Sequence, residues 1–243
     1  MPFSVETDIP RKLYRYTKKR FAEDLINNGR LRMGTLFGYR GGEALTEAQA
    51  DEFEGTHTFT GHSQGVIACA MVISLDNWIL CLSAALNPAF LQDGSFGDAD
   101  CIVEIDTFGF CAELAAAMAH RCSSGMAVRI RYLDADDYDT GLDFDIPSNV
   151  PAGSSIKPNL ERYAGQEEWR LAFDPRPEYL PGLRDFAFPY DTPGIDELAT
   201  PGAMKITNNS PFYPKNILKP IFIISEKLRD HCKIVHEYHA GTN

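Results

Sequence analysis

Leu13-Tyr14-Arg15-Tyr16-Thr17, then Phe21, Leu25, Ile26 and Gly29, then Leu31-Arg32-Met33-Gly34-Thr35: this stretch decides the reading of the fold. Aromatics alternate around Arg15 over residues 13–17, the period-two pattern of a short strand with two different faces. Thr17 stands where a helix N-cap is expected. Phe21, Leu25 and Ile26 then give one apolar stripe, and Gly29, after Asn28, fits the C′ position that ends a helix in left-handed geometry. Leu31, Met33 and Thr35 resume strand-like alternation. The unit reads strand, helix, glycine, strand.

Outward from this unit the chain is mostly strands. Residues 40–56 are polar, carry Gly41-Gly42 and read as a surface loop, with a short helix predicted at 45–50. Residues 65–74 and 78–84 read as two buried strands joined by a turn at Asp76-Asn77. Cys101 to Ile105 is a strand. Residues 108–120 are Ala-rich and place Cys111, Leu114, Ala115 and Met118 on one helical face. Residues 126–133 form a strand with Val128, Ile130 and Tyr132 alternating against Arg129 and Arg131. Residues 134–139 form an acidic turn, 146–155 a loop and 160–163 a short helix. Residues 167–173 read as a strand with Trp169, Leu171 and Phe173 on one face and Glu168 and Arg170 on the other. Residues 175–201 hold six prolines and wrap the surface. Residues 217–224 are a final strand before a polar tail. The sequence shows neither a repeat nor a linker long enough to demand two domains. The expectation is an α+β fold: a single domain over residues 1–243, with mixed, mostly antiparallel sheets and a few short helices.

Composition narrows the function. The chain has 243 residues, 44% of them apolar and 23% charged, as in a soluble globular protein. No apolar run reaches the roughly 18 residues a membrane span needs, and the N-terminus lacks the layout of a signal peptide. Six cysteines are scattered without a CxxC pair, which points to a reducing cytoplasm. A net charge of −11 argues against gripping duplex nucleic acid through a general basic field. Yet eight Arg or Lys residues fall between Arg11 and Arg32 against Glu23 and Asp24 alone, a local surplus suited to a phosphate-bearing ligand or to a solvated helix face.

Four motifs carry possible chemistry. Gly61-His62-Ser63-Gln64-Gly65 has the spacing of a nucleophile elbow, which requires a buried strand before it and a helix after it; the flanking residues are polar upstream and strand-forming downstream. His231, Cys232, His236 and His239 have zinc-ligand chemistry at a spacing that fits no standard finger, and a polar, partly ordered tail accounts for them. Asp134, Asp136, Asp137 and Asp139 lack the glycine and distant glutamate of a calcium loop. Gln166-Glu167-Glu168 is the most promising. Two residues apart on a strand, Gln166 and Glu168 project together, and a carboxylate beneath a sugar stabilises an oxocarbenium ion while an amide positions the incoming nucleophile. The competing account is a solvent-facing charged strand with Arg170 paired to Glu168.

The order of these elements resembles the ADP-ribosyltransferase fold. Tyr14-Arg15-Tyr16-Thr17 to Gly29 is similar to that family's first strand, helix and glycine; Leu80-Cys81-Leu82-Ser83 stands where its serine strand falls; Gln166-Glu167-Glu168 matches its Q-x-E. The resemblance implies an NAD-dependent ADP-ribosyltransferase or NAD glycohydrolase. Arg15 holds the cofactor's phosphate or ribose, and Ser83 the nicotinamide ribose. Tyr14 and Tyr16 flank the ring, Glu168 stabilises the cationic sugar and Gln166 orients the acceptor, whether protein, nucleic acid or water. The chain departs from the family in having C-L-S in place of S-T-S. It also resembles an uncharacterised bacterial family seen in phage-defence settings, through residues 31–40, 51–55, 78–83 and 166–170. That likeness implies a cytoplasmic toxin or defence effector, or alternatively a non-catalytic binding or sensor module. A third reading is a serine hydrolase using Ser63.

Overall fold

Alternation in residues 12–17 and 30–35 builds two strands that diverge from a common neighbour, and this divergence shapes the molecule. The computed structural model describes residues 1–40, 56–63, 66–73, 76–133, 156–158, 165–179 and 218–238. In chain order the strands and helices are β1 (Phe3–Val5), β2 (Lys12–Thr17), α1 (Lys19–Asn28), β3 (Arg30–Thr35), β4 (Thr56–Ser63), β5 (Val66–Ile73), β6 (Trp78–Ser83), β7 (Cys101–Asp106), α2 (Thr107–Met118), β8 (Cys122–Arg129), β9 (Arg131–Leu133), β10 (Ile156–Pro158), β11 (Glu168–Pro175), β12 (Ile221–Ile224), α3 (Glu226–Arg229) and β13 (Cys232–Glu237). The result is α+β, dominated by one sheet of mostly antiparallel strands with few helices.

That sheet runs β1-β8-β11-β6-β2-β7-β13, with β3 and β12 off this path. Within it, β1 and β8 are parallel. One edge of β6 is covered by β11 from Trp78 to Ser83. The other edge is shared: β3 takes one end, with Gly34 opposite Ile79 and Thr35 opposite Trp78, and β2 takes the other, with Tyr14 opposite Ser83. The sheet therefore forks at β6.

The helices cover one face. Ala22 and Leu25 of α1, Phe110, Leu114 and Met118 of α2 and Leu228 of α3 pack with Leu13, Leu31, Met33, Leu80, Leu82, Trp169, Leu171 and Phe173 in the main core. The opposite face carries two smaller apolar clusters, one around Leu36, Ile79 and Ala172, the other around Leu91, Ala99 and Ile102.

Local rules explain most boundaries. Gly29 ends α1 at φ 61°, and its N–H bonds the Leu25 carbonyl at 2.9 Å. A Cβ there would lie 2.1 Å from the Ser225 carbonyl oxygen, so glycine is required by both backbone and neighbour. The α1 N-cap is Lys18, not Thr17. Lysine has no acceptor to offer; Asp100, distant in sequence, accepts from the Lys19 N–H at 2.5 Å in its place.

Other expectations are corrected. Residues 65–74 and 78–84 do not form a hairpin: β5 pairs with β4 in a separate two-stranded sheet, while β6 joins the main sheet. Asp76 and Asn77 are buried, with Asp76 accepting from the Leu218 N–H at 3.0 Å and the Asn77 carbonyl from the Leu36 N–H at 2.9 Å, so this is a packed crossover. The strand expected over 126–133 begins at Cys122 and breaks at Ile130, whose N–H turns to the Glu168 carbonyl at 2.9 Å. The C-terminal segment is not a loose tail; β13 pairs with β7. The loops and helices expected at 41–55, 134–155, 159–164 and 180–217, and His239, lie outside the described residues.

Candidate functional site

The fork opens into a hollow of about 370 Å³, and the first turn of α1 (Arg20, Phe21) contributes to its lining. That volume sits at the small end of the ligand-site range of roughly 300–1,000 Å³. Its walls come from the strands that diverge: Tyr14, Arg15 and Tyr16 from β2, Arg32 and Gly34 from β3, residues 79–82 from β6, and Glu168 and Arg170 from β11. It lies between the two small apolar clusters, with Tyr39 from one and Phe96 from the other on its lining.

Charge is the hollow's most unusual property. Five cations, Arg15, Lys18, Arg20, Arg32 and Arg170, line it against two acids, Asp98 and Glu168, in a chain whose net charge is −11. Lys18 is paired with Asp98, and Arg170 Nε donates to Glu168 Oε1 at 2.7 Å with both side chains almost fully buried. Arg15 is different. Its Nη2 donates to the Arg32 carbonyl at 3.2 Å, bridging the fork from β2 to β3, and among the described residues no carboxylate pairs with it. Burial pulls its guanidinium down from the usual arginine value, with Tyr39 and two thiols opposing in part. Among the described residues Arg15 is thus a part-buried cation beside the hollow with a backbone carbonyl as its hydrogen-bond partner.

The aromatic end is equally ordered. Tyr16 stacks on Phe96 at 4.0 Å and 5°, and Phe90 leans against both rings. The Tyr16 hydroxyl donates to the Ala85 carbonyl at 2.8 Å and accepts from the Asn87 N–H at 2.8 Å, and burial raises its pKa. Tyr39 lies against β3 because Gly34 has no side chain; a Cβ there would come within 2.8 Å of its ring. Burial pushes the Tyr39 hydroxyl well above the usual tyrosine value, so it enters the site as a neutral phenol.

Each residue singled out in the sequence has a definite place. Tyr14, Arg15, Tyr16, Gln166 and Glu168 all line the hollow. Gln166 and Glu168 lie on it together although Gln166 precedes β11, and the intervening Glu167 is exposed. Glu167 sits at φ 45°, a left-handed conformation rare for a residue with a side chain. The Glu168–Arg170 pair of the competing account does form, but it is buried and not solvent-facing, and both residues line the hollow. Ser83 does not line it. Its Oγ donates to the Gln166 carbonyl at 2.5 Å and accepts from the Ala85 N–H at 3.0 Å, so the hydroxyl is spent on backbone behind the site. Ser63 ends β4 opposite Val66 in a strand-to-strand connection, whereas an elbow turns from strand to helix. Among the described residues no group of three or more His, Cys, Asp or Glu side chains is placed to hold a metal ion, His231, Cys232 and His236 included.

Sequence reading missed Arg32, Tyr39, Phe96 and the cavity role of Arg170. Two of these left a signal: Arg32 interrupts Leu31 and Met33, and Arg170 interrupts Trp169 and Leu171, charged residues in otherwise apolar strands. No family model matches the chain, and neither the curated proteins nor the solved structures contain a match to it. Among the described residues no helix is long and apolar enough to cross a membrane.

Proposed function

We propose that the hollow binds NAD and that the chain cleaves its nicotinamide–ribose bond, as an ADP-ribosyltransferase or an NAD glycohydrolase. The observation that carries this reading is that Arg15, which has no carboxylate partner among the described residues, and Glu168 line one cavity.

Arg15 takes the pyrophosphate, supplying the fixed fork that phosphate oxygens favour. Tyr14 and Tyr16 present rings to the nicotinamide. The volume suits one nucleotide half of the dinucleotide. The C–N glycosidic bond breaks with its electron pair going to nicotinamide, and positive charge develops on the ribose. Glu168, held at Oε1 by Arg170 Nε, stabilises that charge. An oxygen nucleophile from water or an acceptor then bonds to the ribose carbon and loses its proton to solvent. A role as a toxin or defence effector rests on the family resemblance.

The test is nicotinamide release from NAD, measured chromatographically with and without cell extract. Wild type is expected to release it, and Glu168→Gln to be slower by at least about 100-fold. No release under either condition overturns the enzymatic reading. NAD binding without release favours a sensor module, a second reading that the Glu168–Arg170 pair supports because it partly neutralises the carboxylate.

A further inference from the structure

Gln166 does more than stand beside Glu168. Its Nε2 donates to the Ser95 carbonyl at 2.9 Å, and the side chain is 5% exposed. Ser95 belongs to a tight turn: its N–H bonds Asp93 Oδ1 at 2.8 Å, and the Gly97 N–H bonds the Gly94 carbonyl at 2.8 Å. The next residue is Phe96, the ring stacked on Tyr16. The far end of the turn is tied to β2's exit by the Lys18–Asp98 ion pair. On the other side, left-handed backbone at Gly165 (φ 79°) and Glu167 (φ 45°) brackets Gln166, and Ser83 Oγ holds its carbonyl. Gln166 is thus fixed from behind and reaches across to the turn that carries the cavity's aromatic wall.

We propose that Gln166 is a positioning residue: its amide N–H latches the 93–98 turn, sets Phe96 against Tyr16 and so fixes the aromatic wall against which a planar ring of the ligand packs. This deepens the NAD reading and rests on it for its kinetic test. It differs from a role in orienting the acceptor, because the latch needs a hydrogen-bond donor, whereas holding an incoming hydroxyl or water needs an acceptor oxygen.

Gln166→Glu separates the two, since it keeps size and acceptors but removes the donor and turns a carboxylate toward the Ser95 carbonyl. The latch predicts that Gln166→Glu and Gln166→Ala both raise KM for NAD by about five- to tenfold, the scale of one net hydrogen bond, with kcat changed less than twofold. It also predicts that Phe96→Ala raises KM similarly and that Gln166→Glu combined with Phe96→Ala is no worse than Phe96→Ala alone, because both act through one ring. A Gln166→Glu protein with wild-type KM, or additive effects in the double variant, overturns the proposal. A ligand-free readout separates its failure from that of the NAD reading. The ring-proton NMR shifts of Tyr16, set by stacking on Phe96, are expected to move in Gln166→Glu toward their positions in Phe96→Ala. Unchanged Tyr16 shifts overturn the latch whether or not NAD is a substrate.

Discussion

At the scale of single residues the site rests on two arginines with opposite circumstances. Arg170 has its carboxylate and Arg15 has none among the described residues. Removing one member of a buried pair strands the other, so Arg170→Ala is expected to cost about 3–5 kcal/mol, read from denaturant unfolding, and Arg170→Lys to restore only part of it. Arg15→Ala removes a part-buried cation that has no carboxylate partner among the described residues, so its stability loss is expected to be smaller while NAD affinity falls. Equal stability losses in the two variants would contradict the distinction. Glu167 offers a second check. Its φ of 45° disfavours β-branched residues and tolerates asparagine. Glu167→Val is expected to lower stability by about 1–2 kcal/mol, and Glu167→Asn to match or exceed wild type. Much of this residue-level picture was legible: Tyr14, Arg15, Tyr16, Gln166 and Glu168 were singled out by pattern and resemblance, and all reach the hollow. Ser83 lines up in register but spends its hydroxyl on backbone, which a sequence cannot display.

At the scale of elements, what could be read depended on how local the determinant is. The helix ending at Gly29 follows from the chain's own period and stop signal. Gly29→Ala, which meets left-handed strain and the Ser225 carbonyl together, is expected to cost at least about 2 kcal/mol in thermal or denaturant unfolding. The N-cap was misread because its acceptor, Asp100, comes from elsewhere in the chain; Asp100→Ala is expected to lose about 1 kcal/mol. The strand β13 was missed because its pattern is weak, burial being partial along most of its length. Its attachment is partly ionic: Glu104 of β7 bonds Lys12 of β2 and Lys233 of β13, each at 3.0 Å. Burial works to raise the Glu104 pKa, but hydrogen bonds from Lys12 and Lys233 outweigh it and leave the carboxyl below the usual glutamate value. A depressed carboxyl stabilises the fold above its unfolded pKa and loses that contribution as pH falls through the folded one. The stability margin of wild type over Glu104→Gln is therefore expected to be full near neutrality and to shrink on acidification below the ordinary glutamate range; a margin independent of pH would contradict this tie.

At the scale of the whole molecule the decisive feature is the fork, where β2 and β3 leave opposite ends of one edge of β6. The pairing of three strands distant in sequence sets it, and period and propensity in each strand say nothing of which partner it takes. For that reason the hairpin expected over 65–84 failed, and Arg32 and Tyr39 went unrecognised as neighbours of Arg15. The fork also places Cys81 on the hollow, whereas burial holds the Cys101 thiol up at about 11 and those of Cys111 and Cys122 at about 12. Alkylation resolved by peptide mass is expected to modify Cys81 ahead of these three, and NAD to slow it. The most direct test of the account is a crystal structure of Glu168→Gln protein with NAD. The account predicts pyrophosphate on the Arg15 guanidinium and the nicotinamide ribose over residue 168 in the same hollow. A dinucleotide bound elsewhere, or an empty hollow at saturating NAD, would contradict it.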